Sequence, residues 1–240
     1  MNRAALLAIG AAAGWTILCV GPGHMWLMHL VHPVCFAALA IWAGIVTVRL
    51  VRTERMRRAL RAASEPALLS GVACRVIPSS SAGAFAIGFP RPEIYVGEAL
   101  AARLDTAELR GVMLHEEHHR QTAAPLRAVA IEAWLALTSR IPVLRGALEM
   151  RLTMLEAQAD RFALRHGVTP ATLARALLKM PAATGGTGFG GMAATRIASL
   201  RAAAGAESRD RRDLPWEWAP VAAAFYILGT CTLVTFIGGL

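Results

Sequence analysis

Within 240 residues, the run His115-Glu116-Glu117-His118-His119 concentrates the side chains most able to do chemistry. His115 and His119 are four apart, so on a helix their imidazoles project from one face, a turn apart. Two imidazoles so placed can hold one metal ion. Glu116, beside the first of them, can then take a proton from a water that the metal activates. That is the chemistry of a zinc peptidase. A solvated, charged helix face is the competing reading, and His115 with His118 is a competing ligand pair. The i, i+4 pair is preferred because it leaves Glu116 at the metal. His118 points about 100° from its neighbour on the helix and is expected to be exposed and not a ligand.

The pair needs a helix to hold it. Asp105-Thr106-Ala107-Glu108 reads as a capping box, with Leu109, Val112 and Met113 following at helical spacing. Gly111, a turn before His115, is expected to leave room near the metal. Pro125 marks the start of the next segment.

A catalytic zinc takes three protein ligands and keeps a fourth position for water. Residues 144–166 read as one amphipathic helix, with Leu148, Leu152, Leu155, Ala159 and Phe162 as its buried stripe. Glu156 borders that stripe and Asp160 lies one turn on, along the same side. A carboxylate at a core boundary is costly unless paired or metal-bound. Glu156 as third ligand and Asp160 as the partner that orients a ligand imidazole resolve both costs. The alternative is a half-exposed helix paired through Arg151 and Arg161. Glu132 and Glu149 are rival ligands, and neither has an acid one turn on.

His115-Glu116-x-x-His119 followed by Glu156-Ala157-Gln158-Ala159-Asp160 resembles the membrane-bound gluzincin metallopeptidases. These include the CAAX prenyl protease and heat-shock membrane protease type and the related beta-lactam sensor-transducer type. Ala84-Phe85-Ala86, Pro90-Arg91-Pro92 and Ile94-Tyr95-Val96 are similar to the family's strand pair, and Thr195 to Leu200 to its terminal Arg-Ile segment. The resemblance covers about residues 72–201. It implies a zincin-like α+β domain, one Zn2+ per chain and a protein or peptide substrate. Arg196 is a candidate transition-state stabiliser. The family often has Leu where this chain has Glu117, commonly has Asp where it has Ala124, and in the prenyl-protease branch has a His that residues 182–194 lack. These departures tilt the resemblance toward the sensor-transducer branch.

The chain is 55% hydrophobic, with a mean hydropathy of +0.46. Residues 4–20, 25–51 and 219–240 are apolar runs of about membrane-spanning length, so three transmembrane helices are expected. A signal peptide is the alternative for the first run, but no good cleavage site follows it. Arg49, Arg52, Arg55, Arg57, Arg58 and Arg61 follow the second run, and Arg209, Arg211 and Arg212 precede the third. The positive-inside rule puts both basic segments in the cytoplasm, with the N-terminus inside. Trp216 and Trp218 fall at the expected interface. The arginines are expected to meet anionic lipid, which accounts for the net charge of +9 without nucleic acid. Lys179 is the only lysine, which fits a GC-rich bacterial genome and an inner-membrane location.

The expected fold is therefore a mainly α membrane protein. Residues 1–62 form a transmembrane hairpin and basic connector, 63–213 a cytoplasmic zinc metallopeptidase domain with a small β-sheet, and 214–240 a C-terminal transmembrane helix. The β signals lie in residues 72–96, and Ala84, Phe85 and Ala86 are the candidate edge strand that pairs with substrate backbone. Residues 126–139 read as a short buried or interfacial helix, with a fourth span as the alternative. A helix is expected over 169–180 and a flexible loop over 181–192. His29 and His32 sit near the outer end of the second span, where a metal or pH role is a minor alternative. Cys19, Cys35, Cys74 and Cys231 form no ligand or disulfide pattern. Three functions remain: a constitutive membrane quality-control protease, a signal transducer that cleaves itself or a transcriptional repressor, and a zinc-binding scaffold without activity.

Overall fold

A computed structural model describes residues 24–78, 83–180, 196, 197 and 200, with side chains from Pro33 onward. The expected spans at 4–20 and 219–240, the loop at 181–192, Trp216, Trp218 and the side chains of His29 and His32 lie outside the described residues. Residues Ile45–Arg212 belong to one compact unit, and residues 24–44 to another.

The described chain is mainly helical with one small mixed sheet. Helix α1, His24–Ala62, runs for 39 residues. Its apolar part is long enough to cross a membrane, with a mean hydropathy of 2.2 over its best window. Among the described residues it is the one helix of that kind. The helix does not stop where the apolar run does. Arg, Leu, Met and Ala, all good helix formers, carry it through the expected connector. Glu54 accepts hydrogen bonds from Arg57 and Arg58, three and four residues on. Two of the arginines on this helix also make contacts within the protein. Arg57 reaches Glu93 at 3.2 Å and is mostly covered, while Arg49 pairs with Glu132.

The sheet has four strands: β1 Glu65–Leu69, β2 Val72–Ile77, β3 Ala84–Ile87 and β4 Glu93–Gly97. Their order is β1-β2-β4-β3, with β2 and β4 parallel and the other neighbours antiparallel. Strand β1 lies upstream of the segment expected to hold the strands. It forms a hairpin with β2 through Ser70 and Gly71, both at positive φ, the turn that suits the twist of two strands. Strand β3 is an edge. The Gly97 N–H donates to the Gly83 carbonyl at 2.9 Å, which makes 83 and 97 a hydrogen-bonded pair. The pairs alternate along an antiparallel ladder, so Phe85 bonds to Tyr95 while Ala84 and Ala86 turn their backbone groups outward.

Five helices follow: α2 Glu98–Arg103, α3 Thr106–Gln121, α4 Ala124–Thr138, α5 Pro142–Arg165 and α6 Pro170–Lys179. Both halves of the Asp105–Glu108 capping box form. Thr169 caps α6, with Pro170 in its first turn. Val112 and Met113 of α3 pack on Val72, Ile94 and Val96 of the sheet. A second cluster joins Ala163 of α5, Val168, Leu173 and Leu177 of α6, and Leu200. A third joins Ile131 of α4 to Leu148 and Leu155 of α5. Helix α4 is no span: it has 15 residues, with Ala130, Ile131 and Ala133 buried against protein.

Glu108 fixes the start of α3. It is fully buried and accepts from Lys179 Nζ at 2.6 Å and Arg175 Nε at 3.4 Å. Burial opposes its charge, but Lys179, the Asp105 N–H and Arg175 outweigh burial and hold the carboxyl below its usual range.

Gly111 does not make room for a metal. A Cβ there would stand 3.1 Å from Val168 Cγ1 and 3.4 Å from Leu173 Cδ1, so the missing side chain admits α6 and its entry turn. Gly111→Ala is expected to be near neutral, because about 1 kcal/mol of helix propensity offsets the squeeze. Gly111→Val adds methyls with nowhere to go and should cost about 1–3 kcal/mol. Thermal unfolding of the detergent-solubilised protein checks both, and a Val variant as stable as wild type would refute the packing account.

Candidate metal and catalytic site

Three elements meet where the site forms. Helix α3 brings His115, Glu116 and His119, helix α5 brings Glu156 and Asp160, and strand β3 runs alongside α3. His115 Nε2 and His119 Nε2 stand 2.9 Å apart. His115 Nε2 lies 3.4 Å from Glu156 Oε2, and His119 Nε2 lies 3.4 Å from Glu156 Oε1. Each residue offers one ligand atom, and these atoms all lie within 4.8 Å of one another.

These separations suit a tetrahedral ion, whose donors at bond lengths of 2.0–2.1 Å stand about 3.3 Å apart. Glu156 Oε2 is buried and makes no hydrogen bond of good geometry, its neighbours being His115 Nε2 and the Arg196 guanidinium. Charge agrees. Glu156 and Asp160 are held ionised and Arg196 carries one positive charge, so negative charge is in excess and a cation would be favoured. The residues present therefore fit zinc, with His115, His119 and Glu156 as the holders.

The ligand imidazole is oriented from behind. Asp160 Oδ1 lies 2.9 Å from His115 Nδ1. If Nδ1–H donates there, the lone pair of Nε2 faces the other two donors. Asp160 is in turn gripped by Arg196, whose Nε donates to Oδ2 at 3.0 Å and whose terminal nitrogen donates to Oδ1. The same guanidinium stands 3.2 Å from Glu156 Oε2. Arg196 is 2% exposed. It was a candidate to stabilise charge on a substrate, and its described contacts go to the acids and to His115. For Glu156 and for Asp160, burial opposes ionisation. It is overridden for Glu156 by the two imidazoles, and for Asp160 by His115 and Arg196, so both carboxyls sit below their usual range.

Glu116 behaves oppositely. It is 2% exposed, and burial, reinforced by the charge of Glu156, raises its pKa to about 7. His119, Arg196 and a hydrogen bond from the Ala86 backbone N–H counter this in part. The bond to Ala86 connects the acid to the outward side of β3, and no signal in the sequence pointed to it. Phe85 stacks on Tyr95 at 5.9 Å between centroids and stays with the sheet.

The rival ligands are elsewhere. Glu132 pairs with Arg49 and Glu149 accepts from Arg145 at 2.8 Å. His118 is not among the three donors that converge, and it is not exposed. It is half-buried and packs on Phe162 at 5.1 Å between centroids. Burial, followed by the charges of His119 and His115, lowers its pKa to about 4. The helical wheel of α3 could not foresee this, because α5 supplies the covering ring. Glu117 is tied to Arg120 and Gln121 on its own helix.

No family model, curated protein or solved structure matches the chain. The likeness to gluzincins thus stands on the motif residues themselves.

Two outcomes are expected. Purified protein should bind about one zinc, Glu156→Ala should lose it, and Asp160→Asn should weaken it by roughly 10–100-fold; metal analysis and competition with a chelator check this. In metal-free protein the folded pKa of Glu116, about 7, lies above the unfolded value of 4.5. Stability attributable to Glu116 is then full below pH 4.5 and falls as pH rises toward 7. Glu116→Gln removes that loss, so its melting point should gain on wild type across this window. A constant difference would contradict the buried placement of Glu116.

Proposed function

We propose that the protein is a membrane-anchored zinc metalloendopeptidase, with His115, His119 and Glu156 holding the metal and Glu116 as general base. The observation that carries this reading is the convergence of three metal donors beside a buried carboxyl that touches an edge strand. The zincin-like character of the domain and its place among membrane gluzincins belong to the same reading. So does multi-pass insertion, with α1 as one span and its basic end in the cytoplasm.

Zinc held by His115, His119 and Glu156 would acidify a water and polarise the scissile carbonyl. The chain's own residues do the rest. Glu116 accepts a proton from the attacking water and passes it to the leaving amine nitrogen. Asp160 holds the His115 ring in one tautomer, and Arg196 holds Asp160. The outward backbone groups of Ala84 and the Ala86 carbonyl align an extended peptide by strand addition, which presents its backbone beside Glu116. Such pairing reads main chain, so the substrate is a protein or peptide, this chain included.

A dye-labelled unfolded protein, incubated with the full-length enzyme in detergent, tests the reading. Glu116→Gln is expected to lower cleavage by roughly 10²–10⁴-fold while zinc content stays at the wild-type level. A zinc chelator should abolish cleavage and added zinc restore it. Equal cleavage by wild type and Glu116→Gln, or none by either with zinc bound, would leave a metal-binding scaffold in place of a peptidase.

A further inference from the structure

The turn between α4 and α5 is built unlike the rest of the catalytic unit. Residues 139–147 are exposed without interruption, and they include Ile141-Pro142-Val143-Leu144. Val143 is 81% exposed, with Ile141 at 49% and Leu144 at 44%. Further along α5, Met150 is 59% exposed. A contiguous apolar patch at a tip is not a stable surface in water and marks a contact with something apolar. Arg140 and Arg145 flank the tip and are exposed too.

The position of the tip says what that contact is. Along α1, Arg57 lies level with β4, through Glu93. Arg49, eight residues earlier, lies level with α4, through Glu132. Arg49 and Arg52 also mark where the apolar part of α1 ends. Helix α4 begins next to the ligand helix, at Ala124, and meets Arg49 only at Glu132. It therefore climbs from the site toward Arg49. Beyond Glu132 it has two more turns before the tip. Leu135, Ala136 and Ser139 line one cavity of about 350 Å³ with Arg49 and Arg145, so the base of the hairpin is at the level of the boundary arginines. A helix of 15 residues is about 22 Å long, too short to cross the hydrocarbon core.

We propose that this tip dips into the membrane that α1 crosses. Ile141, Val143 and Leu144 enter the boundary of the acyl chains, and Arg140 and Arg145 meet anionic headgroups. The catalytic unit then touches the bilayer at two places, α1 and the hairpin. The site between α3 and α5 is held at a fixed height and tilt, because Glu156 sits on the same helix, 14 residues on from its embedded start at Pro142. The inference rests on the membrane-anchored part of the proposed function and is independent of zinc and of cleavage.

The test uses the full-length chain with Cys19, Cys35, Cys74 and Cys231 replaced, reconstituted into vesicles of phosphatidylcholine and phosphatidylglycerol. An environment-sensitive fluorophore is attached in turn at Val143→Cys, at Phe36→Cys on the apolar part of α1, and at Leu178→Cys on α6, and lipids with brominated acyl chains serve as quencher. The expected result is blue-shifted emission and strong quenching at positions 143 and 36, severalfold above position 178, unchanged by a zinc chelator. Quenching at 36 with none at 143 overturns the hairpin proposal alone. Absence of quenching at both overturns the membrane anchor as well. A blue-shifted but unquenched label at 143 means that protein, such as a second copy of the chain, covers the tip, and this also overturns the lipid assignment.

Discussion

Three carboxyls, two imidazoles and one guanidinium share a water-poor space between α3 and α5, and most of the described structure follows from what that requires. Buried charge of one sign is costly unless partners are held at fixed distance. The two ends of the cluster solve this differently. Asp160 and Glu156 keep their charge because His115, His119 and Arg196 are within reach. Glu116 has less help and gives way, its proton held up to about pH 7. The ionised acids outnumber the one guanidinium, and a cation held by His115, His119 and Glu156 would offset the excess.

The scaffold around it is rigid in the directions that matter. Helix α3 is pinned at its start by Glu108, capped, buried and tied to α6 through Lys179. Gly111 lets α6 close on the next turn, and the sheet covers Val112 and Met113. By the time the helix reaches His115, its rotation is fixed on two sides. Helix α5 is set against α4 and α6 by Leu148, Leu155 and Ala163. Few kcal/mol separate folded from unfolded chains, so a site with this much buried polarity depends on the apolar contacts on either side of it.

Some of this was legible in the sequence. The helix of His115 and His119 was, because its signals are local: a capping box, a 3.6-residue period and an i, i+4 pair. The placement of Glu156 beside that pair was nearly so. Spacing singled out Glu156 and Asp160, yet only folding could show that Arg49 and Arg145 occupy Glu132 and Glu149. What failed to show was set by distant partners. Strand β1 carries Pro66 and an exposed Leu68, with no alternation to betray it, although Ser70-Gly71 offered a turn signal. The neighbours of Gly111 are 57 and 62 positions away, Val168 and Leu173. His118 was misjudged because a helical wheel describes one helix and Phe162 belongs to another.

Arg196 gives the site an order of assembly. Its guanidinium holds Asp160 from 36 residues downstream. On a ribosome adding 5–20 residues per second, that separation is a lag of roughly two to seven seconds. Throughout it, His115, Glu116, His119, Glu156 and Asp160 have been made, while the guanidinium that holds Asp160 has not. The cluster becomes complete only after every described element around it has been synthesised.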